Sequence, residues 1–473
     1  MKESQSEVPE KFNISLIGIV SAMAGLLFGF DTGVISGAQE FLFNTFGVGE
    51  GNTLYFEYIR GIVVAAVPIG ALFGAIISGK FAQGLGRRKT LMLTAVMFTV
   101  GTLTAAFAPS LHVVIAGRLI MGLAIGISAM VAPMYLGEVS PPEVRGTMIF
   151  LFQLAITVGL LSAFGINLLF ASLMTDHTLN WRWMFGVAII PSVLLFFGMF
   201  KMPFSPRWLI MKGRVDEAKT ILQKLLGKLD IGKELDEIDE SMRHDTGHNW
   251  VELFKKPLLP LLAVTFGLFV FQQLSGINAI MYYGPRVFAN AGFGENAKYM
   301  AQLVMGVTNV LATVLGVWIV DKAGRRPLLF VGFSGMIICL GLLAYFLESN
   351  QAHPMASLVS ILFYIIFFAI SLGGVPYILM SEVFPLKSRS MGMAIASCAN
   401  WGFNILVSST FEILVTELGG MGNVFLLYGI CTIVGFIVAM RFVPETKNRH
   451  LEQLEHNLYA GKLLRHLGDP IED

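Results

Sequence analysis

The sequence predicts an all-α membrane protein, with twelve transmembrane helices in two pseudo-symmetric six-helix bundles and with cytoplasmic linker helices. Of its 473 residues, 55% are hydrophobic and 14% are charged, whereas about a quarter of a soluble domain is charged. Twelve apolar runs of roughly 20 residues follow one another, each long enough to cross a hydrocarbon core. Charged motifs also recur between the two halves. Most of the chain is therefore expected to lie in lipid.

The twelve apolar runs define the expected helices. Their approximate bounds are 14–36, 58–79, 90–108, 111–136, 147–170, 183–202, 258–284, 299–320, 328–347, 355–380, 390–415 and 424–443. A charged segment follows the sixth run, and Ala218, Leu222 and Leu225 lie on one face of a helix predicted within it. The expected domains are a first bundle at 1–204, a helical linker at 205–257, a second bundle at 258–446, and a cytoplasmic helix and tail at 447–473.

The positive charges set the expected orientation. With a cytoplasmic N-terminus, 28 of the 33 Lys and Arg residues fall in cytoplasmic segments, as the positive-inside rule requires. The exceptions are Arg60, Arg182, Arg286 and Lys298 on the outside and Arg118 within a run. Both termini are therefore expected in the cytoplasm of a multi-pass protein of the inner or plasma membrane.

Composition and motifs exclude several function classes. The net charge of +1 gives no indication of nucleic-acid binding. Cys339, Cys398 and Cys431 lie in apolar runs, without the spacing of a disulfide framework or a metal site. The sequence contains no phosphate-binding loop and no hydrolytic triad. We therefore expect no metal, no cofactor and no enzyme activity; the lipid bilayer is a predicted partner, and the protein is expected to be monomeric.

Three landmarks occur once in each half of the chain. Their two copies are Gly86-Arg87-Arg88 and Gly324-Arg325-Arg326, Glu138 with Arg145 and Glu382 with Arg389, and Pro203 and Pro444. The offsets between copies are 238, 244 and 241 positions, which indicates an internal duplication. Two similar six-helix halves around a cavity are the architecture of many secondary transporters.

Two charges fall well inside the apolar runs of the first half, away from the run ends. Asp31 lies in the first run and Arg118 about two turns into the fourth, so the topology places both in the outer half of the bundle. Asp31 has an alternative interpretation as a helix-end or capping residue, and Arg118 as an arginine that reaches the headgroups. If they pair, each lowers the cost of burying the other. Protonation of Asp31 would then remove the attraction and shift a conformational equilibrium.

Further motifs carry a resemblance to a known family. In order they are Gly86-Arg87-Arg88, Arg118, the run 138–146, Pro206-Arg207-Trp208-Leu209, the run 272–278, the run 321–326, the run 382–389, Asn400-Trp401 and Pro444-Glu445-Thr446-Lys447. With these motifs the chain resembles, over nearly its whole length, the sugar porter family of the major facilitator superfamily. The resemblance is greatest to bacterial galactose, arabinose and xylose symporters and to the human facilitative glucose transporters.

The resemblance implies a secondary active transporter that imports a monosaccharide with a proton by alternating access, and it favours a hexose, glucose or galactose. Asp31 and Arg118 match the family's proton-coupling pair. Facilitative transporters have an uncharged residue at the aspartate position, so Asp31 favours symport. A facilitative uniporter of the same fold and a non-transporting sugar sensor are the alternatives.

The resemblance also implies a sugar site of amides and aromatic rings, which suits sugar hydroxyls and apolar sugar faces. The matching residues are Phe28, Gln153, Gln272, Gln273, Asn278, Asn309, Tyr377, Asn400, Trp401 and Asn404. The alternative for the amides is hydrogen bonding between helices that merely holds the bundle, and for Trp401 it is core packing. Tyr377 stands where many relatives have tryptophan, which leaves the identity of the sugar open.

The repeated charged motifs are expected to form a conformational gate at the cytoplasmic ends of the helices. Its predicted members are Arg87, Arg88, Glu138, Arg145, Arg325, Arg326, Glu382 and Arg389. Positive-inside topology alone explains these arginines but not the two glutamates. In the family an acid or asparagine is usual at the position of Gln83, and glutamate at that of Phe204, so a weaker network is expected in the first half. Glu412, late in the eleventh run, is expected at the outer rim.

Overall fold

The computed structural model describes residues 11–48, 54–141, 144–174, 176–228, 230–232, 235–236, 250–349, 351–447, 449 and 451–469. The first half contains α1 (Ile14–Thr45), α2 (Leu54–Gly84), α3 (Arg87–Ala106), α4 (Leu111–Val139), α5 (Arg145–Leu173), α6 (His177–Gly186) and α7 (Ile189–Phe200). The connecting segment contains α8 (Pro206–Met211), α9 (Val215–Leu226) and α10 (Trp250–Leu253). The predicted linker residues 237–249 lie outside the described part of the chain.

The second half is also helical. It contains α11 (Leu258–Leu274), α12 (Ile277–Asn290), α13 (Glu295–Ala323), α14 (Arg325–Glu348), α15 (Pro354–Ala369), α16 (Val375–Val383), α17 (Leu386–Glu417) and α18 (Met421–Phe442), followed by α19 (Leu451–Tyr459) and a 3-10 turn at Leu464–His466. The predicted all-α membrane fold is therefore confirmed.

Ten helical stretches of the described chain are long and apolar enough to cross a membrane. The predicted runs 355–380 and 390–415 account for the other two. The first of these runs is interrupted between α15 and α16, and the second lies in α17, whose middle holds the polar Asn400 and Asn404. Broken and polar helices are tolerated at membrane depth where protein or a cavity surrounds them.

Packing follows the two halves. In the first half α1 packs on α5, and α4 packs between α2 and α3. In the second half α14 packs on α15 and α18, and α11 packs on α17. The halves meet where α17 contacts α2, where α13 contacts α5, and where α12 contacts α1. Asp31 and the amides of the second half thus lie on helices that line the junction between the halves.

A row of glycines brings α1 against α5. A Cβ atom at Gly29 would lie 1.8 Å from the Ile156 carbonyl oxygen, and one at Gly25 would lie 2.5 Å from the Phe152 carbonyl oxygen. Small residues allow this close approach of two backbones in a membrane, where helix packing depends on van der Waals contact. Gly29 lies in the helical turn before Asp31, so this packing of α1 on α5 sets where the Asp31 side chain lies along the helix and which way it faces.

Replacing Gly29 by alanine is expected to separate α1 from α5 and to lower stability by about 3 kcal/mol or more, because a packed backbone cannot yield to the added methyl group. Gly79→Ala is the matched control, since no atom lies within 4 Å of a Cβ at that position. Thermal unfolding of the two purified variants in detergent compares them. Equal midpoints would show that the α1–α5 contact is not tight.

The two ends of the bundle differ. We call the end that holds Arg87 and Arg325 the arginine-motif end, and the end that holds Glu40 and Glu412 the opposite end. Polar contacts join the halves at the opposite end. They are Lys298 Nζ to Glu40 (2.8 Å), Gln39 Nε2 to the Tyr282 carbonyl (2.9 Å), Gln302 to Ser36, and Thr416 to Glu57.

Nearer the arginine-motif end, a cavity of about 700 Å³ lies between the halves, lined by residues that include Ala75, Met130, Phe266 and Cys398. These residues come from α2 and α4 of the first half and from α11 and α17 of the second. The halves are therefore joined at the opposite end and separated by a cleft toward the arginine-motif end.

Candidate functional site

Asp31 and Arg118 form an ion pair in the interior of the first half. Asp31 on α1 is 1% exposed and Arg118 on α4 is 0% exposed. Arg118 Nη1 lies 3.3 Å from Asp31 Oδ1, and Arg118 Nε donates to the Val63 carbonyl of α2 at 2.9 Å. The Phe185 ring lies 5.7 Å from the guanidinium carbon. Both charges are buried, so neither is a headgroup residue.

Each partner of this pair keeps unused hydrogen-bonding capacity. Within the described residues, Asp31 Oδ2 and Arg118 Nη2 have no hydrogen-bond partner. A buried ion pair is favourable only while both partners are charged and close together. A proton on Asp31 would leave Arg118 with the Val63 carbonyl and without a counter-charge. The pair can therefore act as a switch between two arrangements of α1 and α4.

The amides of the second half form one connected cluster. Asn278 of α12 donates to Gln273 of α11, and Gln273 Nε2 donates to Asn400 Oδ1 of α17 at 2.8 Å. Asn400 Nδ2 lies 2.6 Å from Tyr377 Oη and 3.2 Å from Gln272 Oε1. Asn400 thus contacts Gln272, Gln273 and Tyr377 of α16, and Asn278 joins the cluster through Gln273. The four amides come from three helices. A ligand with several hydroxyl groups could replace these mutual hydrogen bonds without leaving amides unpaired.

Aromatic rings border this cluster. The rings of Phe28 on α1 and Trp401 on α17 lie 5.4 Å apart and so touch across the junction between the halves. Phe269 meets Tyr377 edge to face at 4.8 Å, and Tyr377 is 45% exposed. These rings supply apolar faces beside the amides, which is the combination that a sugar ring needs.

Three predicted residues stand apart from the connected amides. Gln153 of α5 is exposed and Asn309 of α13 is half-buried, and neither has a hydrogen bond to another described side chain. Asn404 lies one turn beyond Asn400 on α17 and is buried, and its Oδ1 has no partner among the described residues. A buried amide oxygen without a partner is costly unless a ligand or water satisfies it.

The repeated charged motifs form the same contact in each half. Arg87 Nη2 lies 2.7 Å from Glu138, and Arg325 Nη2 lies 2.7 Å from Glu382. Each glutamate also accepts a hydrogen bond of 2.5 Å from a hydroxyl group, that of Ser205 in the first half and of Thr446 in the second. These three-residue groups support the internal duplication, and each one lies within its own half.

The other predicted gate residues are placed separately. Arg88 donates to the Phe200 carbonyl at 2.6 Å, and Arg326 donates to the Met440 carbonyl at 2.8 Å. Arg145 is exposed, and the side chain of Arg389 lies outside the described residues. The ion pairs and hydrogen bonds given above for the gate charges lie within single halves, whereas Lys298 with Glu40 and Thr416 with Glu57 join the halves at the opposite end.

The two copies differ at one capping position. In the second half Glu445 accepts from the backbone N–H groups of Arg325 and Arg326, at 3.0 and 2.9 Å. Burial tends to raise the pKa of the Glu445 carboxyl, but four backbone N–H donors outweigh it and hold that pKa below its ordinary value. In the first half Phe204 stacks on Trp208 instead, so the carboxylate that caps the second copy has no counterpart at this position.

Glu412 was expected at the outer rim; it lies at the opposite end of the bundle, but it is buried there. The residue is 2% exposed and forms an ion pair with Arg286. It is buried because α17 continues to Glu417 and α12 packs against it. Sequence reasoning also missed Glu40 and Glu57 at the opposite end. One feature of the sequence could have pointed to these glutamates. Arg60, Arg286 and Lys298 depart from the positive-inside pattern, and a positive charge on that side of the membrane indicates a specific acidic partner nearby.

Comparison with known proteins decides the family. The sequence profile described as Sugar (and other) transporter matches residues 17–458. The chain belongs to the sugar porter family of the major facilitator superfamily. The resemblance stated from the motifs is therefore confirmed, and with it a transporter rather than an enzyme. The protein is a multi-pass membrane protein.

The sugar porter described here has similar relatives in bacteria. It is 38% identical to the D-xylose transporter of Levilactobacillus brevis over 455 residues, covering 95% of this chain and 97% of that one. It is 38% identical to the galactose-proton symporter of Escherichia coli over 456 residues, covering 95% of each. The inward open structure of the Escherichia coli xylose transporter superposes with a TM-score of 0.83 at 31% identity, over 94% of this chain and 100% of that one.

Proposed function

We propose that this sugar porter is a secondary active transporter that imports a monosaccharide together with a proton by alternating access. The observation that carries the proposal is the Asp31–Arg118 pair, a carboxylate held wholly inside the first half beside its cationic partner. Intramembrane carboxylates of this kind mark proton pathways in transporters. A relative named as a galactose-proton symporter supports the same reading.

The distribution of Lys and Arg supports an orientation in which the arginine-motif end and both termini face the cytoplasm of a cell-membrane protein. The opposite end then faces outward. With the halves joined at the opposite end, we assign the structure to an inward-facing state. This assignment agrees with the superposition on an inward open relative.

In the proposed cycle the outward-facing state exposes both sites to the outside. A proton neutralises Asp31 and weakens its attraction to Arg118, while the sugar takes hydrogen bonds from Gln272, Gln273 and Asn400. With Asp31 neutral, the halves close at the opposite end and part at the arginine-motif end. Sugar leaves to the cytoplasm, the proton follows, and Arg118 again meets an ionised Asp31. Each ligand shifts the equilibrium only through its different affinity for the two states.

The amide cluster suits a monosaccharide because amide groups both donate to and accept from hydroxyl groups. A hexose, glucose or galactose, is proposed as the substrate. Relatives are named for xylose, galactose, arabinose, glucose and myo-inositol, so the sugar needs a direct test. A panel of unlabelled sugars competing with labelled D-galactose in proteoliposomes would rank the candidates. Competition by pentoses or inositol ahead of both hexoses would overturn the hexose assignment.

Replacing Gln273 by alanine is expected to weaken sugar binding by about tenfold to a hundredfold, because two amide partners lose their hydrogen bonds, each worth about 1 kcal/mol or more. Gln302→Ala is the control, since Gln302 bonds to Ser36 at the opposite end and not to the cluster. Equilibrium binding of labelled D-galactose measures the change. Unchanged affinity in the Gln273 variant would remove it from the sugar site.

Symport and facilitated diffusion differ in whether a pH gradient can drive sugar uptake against its concentration gradient. Proteoliposomes with an alkaline interior and an acidic exterior should concentrate sugar above its external level, because each sugar brings in a proton. A protonophore should reduce the final level to equilibrium. Uptake that reaches equilibrium at the same level with and without the pH gradient would identify a uniporter. Sugar binding without any uptake would identify a sensor.

A further inference from the structure

Lys298 is a buried lysine at the opposite end, and two carboxylates share its ammonium group. It lies in the first turn of α13, and its side chain is 3% exposed. Lys298 Nζ lies 2.8 Å from Glu40 Oε2 of α1 and 2.8 Å from Glu295 Oε2 of its own helix. A buried ammonium group without a carboxylate partner is costly, so this lysine depends on these glutamates while the opposite end is closed.

The two carboxylates belong to different halves of the protein. Glu40 lies in the first half and its side chain is 48% exposed, whereas Glu295 precedes Lys298 by three residues on α13 and is 82% exposed. Residues three apart on a helix remain neighbours however the helix moves. Glu295 therefore stays within reach of Lys298 in every arrangement of the halves, whereas Glu40 is within reach only while α1 lies against α13.

Other contacts between α1 and α13 surround this ion pair. Gln302, one turn beyond Lys298, bonds to Ser36 of α1. The ring of Phe41 on α1 stacks on that of Tyr299, with 6.4 Å between centroids. Lys298 thus lies in a row of contacts that must separate when the opposite end opens. If opening left its ammonium group unpaired and buried, the charge would strongly oppose the movement.

We propose that Lys298 controls closure of the opposite end by exchanging carboxylate partners: it pairs with Glu40 and Glu295 while the end is closed, and with Glu295 alone when the end is open. The proposal rests on the proposed alternating access and adds which charges control it. Glu40 holds the end closed. Glu295 favours opening, because it keeps the lysine paired after Glu40 leaves and because two carboxylates around one ammonium group repel each other.

The two glutamates therefore have opposite expected effects, although each lies 2.8 Å from the same nitrogen. Glu40→Gln removes the closing contact and should shift the equilibrium toward the open end by about twofold to fivefold, the worth of a partly exposed ion pair. Glu295→Gln leaves Lys298 wholly to Glu40 and should shift the equilibrium toward the closed end by a similar factor. Lys298→Gln leaves the two carboxylates facing each other and should open the end.

Hydrogen exchange of backbone amides, followed by mass spectrometry on the full chain in lipid nanodiscs without sugar, measures opening at each end. The segments 36–45 and 295–302 report on the opposite end, and 81–91 reports on the arginine-motif end. Because alternating access closes one end as the other opens, Glu40→Gln should speed exchange in the first two segments and slow it in the third. Glu295→Gln should do the reverse.

Glu417→Gln is the matched control for losing a negative charge at the same end. Glu417 is exposed and has no ion pair among the described residues, so exchange should not change at either end. Faster exchange confined to the neighbourhood of each substitution, without the reciprocal change at 81–91, would show local fraying and overturn the proposal. So would shifts of the same sign in Glu40→Gln and Glu295→Gln.

This measurement requires no sugar, so its outcome is separate from that of the transport assays. Failure of the unmodified protein to carry any sugar of the competition panel would overturn the proposed function. The exchange data would still decide whether Lys298 changes partners between two states of the halves.

Discussion

Replacing Asp31 by asparagine is expected to abolish concentrative sugar uptake while leaving sugar exchange across the membrane measurable. Asparagine has the size of a protonated aspartate and carries no charge, so it reproduces the proton-loaded form permanently. Exchange requires only the proton-loaded transporter to move between its two states, whereas accumulation requires the carboxylate to release its proton inside. Accumulation under an imposed pH gradient and exchange at zero gradient are measured in the same proteoliposomes.

Glu40→Gln is the matched control, because Glu40 lies on the same helix and pairs with Lys298 at the opposite end. It should keep accumulation, although closure of that end is weakened. Loss of accumulation and exchange together in a well-folded Asp31→Asn protein would contradict a specific coupling role. Accumulation that survives in Asp31→Asn would place the proton elsewhere.

Replacing Arg118 by glutamine should strongly destabilise the first half. It leaves the Asp31 carboxylate buried without a counter-charge, which costs about 3–5 kcal/mol in comparable buried pairs. We expect a markedly lower yield of folded protein and a lower unfolding midpoint. Adding Asp31→Asn to this variant should recover much of the loss, because the remaining pair is neutral.

Arg182→Gln is the control for losing an arginine at a helix end. Arg182 donates to the carbonyls of Ala106 and Ala108 at 2.8 and 2.9 Å, with no carboxylate among these contacts. Its loss should lower the unfolding midpoint by much less. Fluorescence-detected size-exclusion chromatography after heating compares Arg118→Gln, the double variant and Arg182→Gln with the unmodified protein. If Arg118→Gln unfolds at the midpoint of the unmodified protein, the ion pair does not stabilise the first half.

Hydropathy and charge were enough to place the helices, because a membrane requires long apolar segments with internally satisfied backbones. The first run was expected to end near residue 36, whereas α1 continues to Thr45. The extra turns hold Gln39 and Glu40, whose polar groups are satisfied by the second half. When polar residues at the end of a helix pair with another part of the protein, hydropathy alone predicts that stretch as a loop.

The predicted topology placed Asp31 and Arg118 in the same half of the membrane. Their match to a pair of residues in the family indicated that they would form an ion pair. Hydropathy does not report which face of a helix a residue occupies, so the burial of Glu412 against α12 was not predicted. The mutual pairing of Gln273 and Asn400 depends on the approach of α11 to α17. Such contacts between distant segments are fixed by packing and not by the local pattern.

The most direct test of proton-coupled transport is the movement of protons when sugar is added without any imposed gradient. Energy-depleted cells that contain the protein are suspended in a weakly buffered medium, and external pH is followed on addition of D-galactose or D-xylose. Symport predicts a prompt alkalinisation of the medium that is absent from cells with the Asp31→Asn variant. Entry of labelled sugar into the same cells with no change of external pH would contradict the account.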